Sequence, residues 1–170
     1  LRQRGQQGVF RPVNRIDKDT SGLVLCAKNA YATPLLAKGV SKVYRAVLEG
    51  CPAQKEGQID APIDRAPGSI ILRCVFAGGK PSLTEYEVVR RCGAHTLVKA
   101  RTVTGRTHQL RVHFSHIGCP LAGDELYGGS RQRIGRQALH CARMEFIEPG
   151  TQKTVVVESP LPPDMQRLME

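Results

Sequence analysis

The sequence predicts an α+β domain built around a mixed, mainly antiparallel β-sheet with few flanking helices. Strand-like segments outnumber helical ones, and most of them follow one another directly along the chain. Segments 84–91 and 95–102 are separated only by the turn-like Cys92-Gly93-Ala94, which is typical of an antiparallel hairpin. The clearest helical periodicity begins only after Thr107. No internal repeat or low-complexity tract interrupts this pattern.

The first half of the chain contains further strand-like segments and one short helix. Residues 22–28 form an apolar run, which predicts a short buried strand, and residues 29–39 predict a short helix. Residues 42–50 alternate and end at glycine, as a strand does. Residues 51–69 are rich in Pro and Gly and predict a loop with one short strand, followed by a further strand over 70–76.

The helix after Thr107 is the best-defined helical element. Thr107 is a suitable N-cap residue. Leu110, Phe114 and Ile117 follow at spacings i, i+4 and i+7, which places them on one face. Gly118 can end the helix. We therefore expect a helix whose apolar face is buried against the sheet.

The last third of the chain predicts a basic loop, two strands and a terminal helix. Residues 128–137 contain Gly and Arg and favour a loop, while 137–148 and 154–158 favour closing strands. Residues 165–169 favour a short helix. These elements complete the expected sheet.

The charge of the chain indicates a polyanionic partner. Lys and Arg number 25 against 15 acidic residues among 170, giving a net charge of +10. Such a balance in one domain favours nucleic acid, with an anionic membrane surface second. No apolar run approaches the roughly 18 residues that a membrane span requires, and no signal-peptide pattern opens the chain. RNA or DNA is therefore favoured over lipid.

The six cysteines are predicted to be reduced thiols. No CxxC pair occurs. Cys26 and Cys74 lie in apolar strand-like runs, where cysteine is usually a small buried hydrophobe. We therefore expect a cytoplasmic protein.

Residues 14–22 contain an aspartate in a polar setting. Asp17 lies between Arg15 and Lys18, and Asp19 begins a polar turn that precedes the predicted strand. Taken alone, these residues favour an ordinary loop in which side chains bond to nearby backbone N–H groups.

Residues 104–116 offer basic groups at the beginning of the predicted helix. His108 and Arg111 are three residues apart and share a face. A helix N-terminus also suits phosphate binding. A zinc site is an alternative, because His113, His116 and Cys119 have regular spacing, but one helix cannot direct both histidines and a cysteine beyond its end at one metal.

Several motifs occur in a fixed order along the chain, and together they resemble a known family. The first are Arg15-Ile16-Asp17 with Thr20-Ser21-Gly22-Leu23, Lys42-Val43-Tyr44-Arg45-Ala46, and Gly79-Lys80-Pro81 with Thr84-Glu85-Tyr86-Glu87-Val88. They are followed by Gly105 to His113, His116 to Gly118, Pro120, Leu121, Gly123-Asp124, Tyr127-Gly128 and, more weakly, Leu139-His140. From about residue 9 to residue 160, the chain resembles the RluA-type family of pseudouridine synthases.

The resemblance implies an isomerase that converts uridine to pseudouridine in RNA. Asp17 matches the essential carboxylate, whose role as nucleophile or as proton acceptor at the sugar stays open. Arg111 matches the guanidinium that pairs with this carboxylate. Tyr44 matches the tyrosine that stacks on the flipped base and that is also a candidate for removing its proton. Arg15 is our candidate for filling the space that the flipped base leaves.

Phosphate contacts are expected from basic side chains around this site. The candidates are Lys42, Arg106, His108, Arg131 and Arg133. Residues 101–143 contain seven Arg and two acids, a local excess of five positive charges. Binding should therefore weaken steeply with salt.

The resemblance also sets expectations for the whole chain. We expect one catalytic domain over 1–170 that lacks N-terminal strands of the family, including an Asn-Lys-Pro segment. No metal and no organic cofactor are implied. The expected partner is ribosomal or transfer RNA, with no membrane, no obligatory protein partner and a monomeric state. The alternatives are a non-catalytic RNA-binding domain of the same fold and the small zinc enzyme.

Overall fold

A computed structural model describes residues 9–170 of the protein. Its strands are β1 (Arg11–Pro12), β2 (Ser21–Gly22), β3 (Cys26–Ala27), β4 (Ser41–Glu49), β5 (Glu56–Asp60), β6 (Ile63–Arg65), β7 (Arg73–Val75), β8 (Leu83–Cys92), β9 (His95–Thr102), β10 (Leu139–Ile147) and β11 (Thr154–Glu158). Its helices are α1 (Ala32–Gly39), α2 (Gln109–His116) and α3 (Pro163–Arg167), with a 3₁₀ turn at Glu125–Tyr127.

Seven strands form the central sheet, in agreement with the predicted fold class. Six of them follow the order β11-β10-β4-β9-β8-β5, and β2 adds to β10 outside this order. Every neighbouring pair in that order is antiparallel, whereas β2 runs parallel to β10. The expectation of a mixed, mainly antiparallel sheet with few helices is therefore confirmed. Two small sheets, β1–β3 and β6–β7, flank it.

One face of the sheet is covered by α2, as its periodicity predicted. Leu110 and Phe114 are buried in one cluster with Ala46 and Leu48, which are alternate residues of β4. The Phe114 ring meets that of Tyr86 edge to face, with 5.9 Å between ring centroids. This packing fixes α2 against the middle of the sheet, so its first turn has a defined position relative to β4.

The opposite face of the sheet is covered by the C-terminal helix. Val47 lies between Ala46 and Leu48 in β4 and therefore points the other way. It packs in a second cluster with Met165 and Leu168. Because α3 supplies this cover, the last residues of the chain contribute to the core.

Two predicted strands differ from the observed ones. Over residues 22–28 the chain pairs with β10 only as far as the Leu23 N–H, which donates to the Cys141 carbonyl at 3.0 Å, and then pairs with β1 at Cys26–Ala27. A buried strand is therefore wrong here, and Cys26 is exposed. The strand predicted over 70–76 is reduced to β7, because residues 66–72 form the turn of the β6–β7 hairpin and Ile70 is 82% exposed.

The other predicted elements are present with small shifts at their ends. They are the helix within 29–39, the strand 42–50, the hairpin 84–102, the strands within 137–148 and 154–158, and a terminal helix that begins at Pro163. All six cysteines are free. Within residues 9–170, no helix has the length and apolar character needed to cross a membrane.

Gly22 provides a test of the contact between β2 and β10. Its φ is +106°, and a Cβ there would overlap the backbone of Cys141. Gly22→Ala should therefore lower the free energy of unfolding by about 1–3 kcal/mol. The matched control is Gly39→Ala, because Gly39 has helical backbone and open space around it, so its replacement should be neutral or stabilising by up to about 1 kcal/mol. Urea denaturation measures both changes, and equal effects would contradict the close approach.

Candidate active site

A cavity of about 560 Å³ opens where the segment before β2 meets β4 and the beginning of α2. Asp17 lines it together with Lys42 and Tyr44 of β4. The loop 105–107 and Gln109 form another wall. The cavity therefore gathers residues from three distant parts of the sequence.

Asp17 begins a turn, as its neighbours alone predicted, and its side chain also reaches the cavity. Its carbonyl oxygen accepts a hydrogen bond from the Thr20 N–H at 3.1 Å, and Asp19 within this turn is left-handed with φ 67°. The Asp17 side chain is 17% exposed. The same segment therefore forms a turn and places a carboxylate in the cavity wall.

The Asp17 turn is held by the residues that precede β10. The buried Gln137 side-chain amide donates to the Lys18 carbonyl and to the Thr20 hydroxyl. Arg136 donates to the carbonyl between them at 3.3 Å. The Arg136 guanidinium is itself fixed by Asp164 of α3, through hydrogen bonds of 2.7 and 3.0 Å. Three successive residues of the turn are therefore anchored to one side of the sheet.

Arg111 approaches Asp17 from within the protein. Its Nη1 lies 4.0 Å from Asp17 Oδ2, but its Nε and Nη2 donate to the two carboxylate oxygens of Asp124, both at 2.7 Å. The side chains of Arg111 and Asp124 are 8% and 1% exposed. Burial alone would lower the pKa of Arg111, but the hydrogen-bonded Asp124 carboxylate outweighs it and the pKa is raised. The guanidinium is therefore a permanent charge beside Asp17.

Tyr44 lies in β4 opposite Cys141 of β10 and is buried. Its neighbour across the strand pair is therefore the buried Cys141 thiol. Burial raises the pKa of Tyr44, and the neighbouring Cys141 and the Asp17 carboxylate raise it further, so the side chain is a neutral phenol at neutral pH. It is both a core residue of the strand and a wall of the cavity.

His108, rather than Thr107, is the residue at the N-terminus of α2, so the predicted N-cap is wrong. His108 is left-handed with φ 57°, and no side chain caps the helix. Its Nδ1 lies 2.7 Å from the Tyr127 hydroxyl, which also accepts a hydrogen bond from the Arg73 N–H at 3.1 Å. Burial lowers the pKa of His108, although the Asp17 carboxylate opposes this. A neutral ring that accepts the Tyr127 proton fits these contacts.

The cationic side chains proposed for phosphate contact fall into two groups. Arg15, Lys42 and Arg106 line the cavity. Arg131 and Arg133 are exposed in the loop before β10 and lie outside the cavity walls, and Arg131 is 3.4 Å from Glu125. The structure therefore brings together only the first group with Asp17.

Some residues of the site were not assigned roles from the sequence. Asp124 and Tyr127 belong to the family-like segments after α2, so their motif was the signal, although it did not indicate that Asp124 binds Arg111. The Arg111 guanidinium carbon lies 4.8 Å from the centre of the Tyr127 ring. For Gln137, no local pattern of the sequence indicates a role.

Of the histidines considered for zinc, His113 is engaged in other contacts, whereas His116 is exposed. His113 is fully buried, with one ring nitrogen 2.9 Å from the Thr84 hydroxyl and the other 2.9 Å from the Ala61 carbonyl. Burial lowers the pKa of His113, which suits a neutral ring in this place. Within residues 9–170, no three His, Cys, Asp or Glu side chains are grouped as a metal site requires.

Comparison with known proteins identifies relatives over almost the whole chain. A family profile described as RNA pseudouridylate synthase matches residues 1–116. An uncharacterized RNA pseudouridine synthase of Bacillus subtilis, YjbO, is 45% identical in an alignment that covers 98% of this chain and 60% of that protein. Ribosomal large subunit pseudouridine synthase D of Xanthomonas campestris is 38% identical, over 92% of this chain and 53% of that protein.

A solved structure shares the fold. Human RNA pseudouridylate synthase domain containing 1 superposes with a TM-score of 0.78 and 30% identity, over 89% of this chain and 69% of that one. The chain spans only 60% and 53% of the two bacterial relatives. The profile match covers more than half of the chain, and the motif resemblance is confirmed: the chain belongs to the RNA pseudouridylate synthase family, as an RluA-type member.

Proposed function

We propose that this chain forms the catalytic part of an enzyme that isomerises uridine to pseudouridine in RNA, with Asp17 as its essential carboxylate. The observation that carries the proposal is the position of Asp17: it lines a cavity, with Tyr44 in the same wall and Arg111 behind it. A volume of about 560 Å³ is in the range of small-molecule sites and leaves room for one nucleotide.

The reaction requires a charged carboxylate that is free to act. It breaks the glycosidic bond of a uridine, turns the base and joins it again through carbon. The guanidinium of Arg111 directs its two short hydrogen bonds to Asp124, not to Asp17. The Asp17 oxygens therefore stay available to the nucleotide, with the Arg111 charge beside them.

Tyr44 suits the stacking role and is also the proposed proton acceptor. A neutral aromatic ring in the cavity wall can face a flipped base. Apart from Asp17 and the permanently charged arginines, Tyr44 and Lys42 are the cavity-lining side chains in the described part of the chain that titrate. Its raised pKa keeps Tyr44 protonated, so Tyr44 can take the proton from the base only as its own phenolic proton passes to solvent in the open cavity.

The cavity rim suits an RNA strand. Arg15 and Arg106 are exposed there, and Lys42 is half-buried. Their contacts with phosphates and the filling of the vacated stack by Arg15 would offset the few kcal/mol that base flipping costs. Arg131 and Arg133 are proposed for contacts farther along the strand, and His108, which lies beside the site, for a contact near the bound nucleotide. Ribosomal and transfer RNA are both proposed substrates of a monomeric cytoplasmic enzyme that acts without metal or organic cofactor.

The first prediction tests the carboxylate. Asp17→Asn should lower pseudouridine formation by at least about 10²–10⁴-fold, as expected for loss of a catalytic group, and should leave RNA affinity within about threefold. The matched control is Asp19→Asn, two residues away, because Asp19 is exposed and its left-handed backbone accepts asparagine. Pseudouridine is quantified in unmodified ribosomal and transfer RNA transcripts after incubation. An Asp17→Asn protein as active as the control would refute the assignment.

The second prediction separates the two roles of Tyr44. Tyr44→Phe retains the ring but removes the hydroxyl, so RNA affinity should persist while the single-turnover rate falls by about 10²–10⁴-fold. Tyr44→Leu should weaken affinity as well, because the stacking surface is lost. Single-turnover assays at saturating RNA give the rates. A normal rate for the Phe variant would restrict Tyr44 to stacking.

The third prediction concerns the pair that positions Arg111. Asp124→Asn leaves a buried guanidinium without its carboxylate, so the free energy of unfolding should fall by about 3 kcal/mol. Glu125→Gln is the control, because its exposed pair with Arg131 contributes about 1 kcal/mol at most. Urea denaturation compares the two variants. Equal stability of both would show that Arg111 does not depend on Asp124.

A further inference from the structure

A second, polar cavity of about 350 Å³ lies beside the active-site cavity. Gly105, Arg106 and Thr107 line both, so this loop is a wall that the two cavities share. Its other walls come from the β6–β7 hairpin and Lys80. Four cationic side chains line it, against the single carboxylate of Asp64: Arg65, Arg73, Lys80 and Arg106.

The strand register places three of these cations on one face. Arg65 of β6 is directly opposite Arg73 of β7, and Ile63 pairs with Lys80 on its other side. Residues i and i+2 of a strand share a face, as do directly opposed residues, so Arg65, Arg73 and Lys80 lie on the same side as Ile63. Ile63 is buried against Tyr127, so this side faces the active-site network. Like charges directly opposite each other destabilise a hairpin unless an anion lies between them.

These cations lack acidic partners in the structure. Within residues 9–170, none of the four forms an ion pair, and an Asp64 oxygen accepts the Arg65 backbone N–H at 2.7 Å. The Nη1 of Arg73 is buried and has no hydrogen-bond acceptor among the described residues. A buried donor without an acceptor costs free energy. An anion in the cavity would supply both the missing acceptor and the missing charge.

We propose that this second cavity is a phosphate subsite, which holds a backbone phosphate of the RNA strand next to the nucleotide in the active-site cavity. The proposal rests on the proposed function. Guanidinium groups recognise phosphate oxygens through paired hydrogen bonds, and two arginines face each other here. Arg106 lines both cavities, and its Nε donates a hydrogen bond to the Pro81 carbonyl at 3.1 Å. Its two terminal nitrogens can therefore contact an RNA strand that passes from one cavity to the other.

The subsite is also connected to the active site through Arg73. The Arg73 N–H donates to the Tyr127 hydroxyl, and the Tyr127 ring lies under the Arg111 guanidinium. A phosphate that fixes Arg73 therefore steadies the hairpin against the residues that position Asp17. Recognition of the strand and placement of the carboxylate thus share one set of contacts.

The test removes two exposed cations of the subsite and leaves the fold intact. Arg65→Gln with Lys80→Gln should weaken binding of a fluorescently labelled oligouridylate by about tenfold, since each phosphate contact contributes a few-fold at moderate salt. The slope of log affinity against log salt should fall by roughly 1 for each phosphate that the variant no longer neutralises. The control is Lys55→Gln with Lys153→Gln, which removes the same charge from exposed positions outside both cavities and should leave the slope unchanged.

The outcomes separate this proposal from the proposed function. Equal slopes for the subsite variant and its control overturn the subsite, whatever the activity. A wild-type protein that binds RNA with the full slope but forms no pseudouridine overturns the function and leaves the phosphate site supported. Arg73→Lys keeps the charge but loses the planar fork, so it should also weaken binding severalfold, and unchanged binding would count against the subsite.

Discussion

The geometry of the site depends on one buried ion pair, between Arg111 and Asp124. Both side chains are removed from water, and such charges are tolerated only when each satisfies the other. The two parallel hydrogen bonds fix the plane of the guanidinium, so only Nη1 is directed toward Asp17. The pair also fixes the segment after α2, and Ser115 of α2 adds a hydrogen bond to the Tyr127 carbonyl of that segment at 2.8 Å. The buried ion pair therefore determines from which side the positive charge of Arg111 approaches Asp17.

Asp17 is held from the other side by contacts that do not involve Arg111. Gln137 and Arg136 secure the turn, and Arg136 is in turn fixed by α3. Because α3 packs on the face of the sheet opposite α2, the position of Asp17 is determined by both layers. The carboxylate is thus placed by a rigid scaffold although it lies in a turn, as catalytic loop residues commonly are.

Sequence patterns predicted the structural features that depend on residues close together in the chain. Leu110 and Phe114 were assigned to a buried face because helical spacing alone determines which side chains share a face. Residues 22–28 were misassigned because an apolar run does not reveal that β10 and β1 divide the segment between them. The same limit applies to the site. The order of the motifs was enough to propose Asp17, Tyr44 and Arg111 as one group. The contact between Gln137 and Lys18 joins residues far apart in the sequence, and no local pattern indicates it. Thr107 satisfied the capping preference, but the loop positions His108 at the helix end instead.

The distribution of charge suits the proposed action of a carboxylate of this basic protein on a polyanion. Inside the site one guanidinium, Arg111, faces two carboxylates, Asp17 and Asp124, so the buried group carries a net negative charge. The cations proposed to meet phosphate lie outside it, along the rim of the first cavity and in the second. In the proposed complex a phosphate is attracted to these cations, whereas the uncharged base of a uridine can lie beside the carboxylate of Asp17. In the proposed complex these cations hold the strand at the surface while the base enters, and the +10 charge of the chain aids binding.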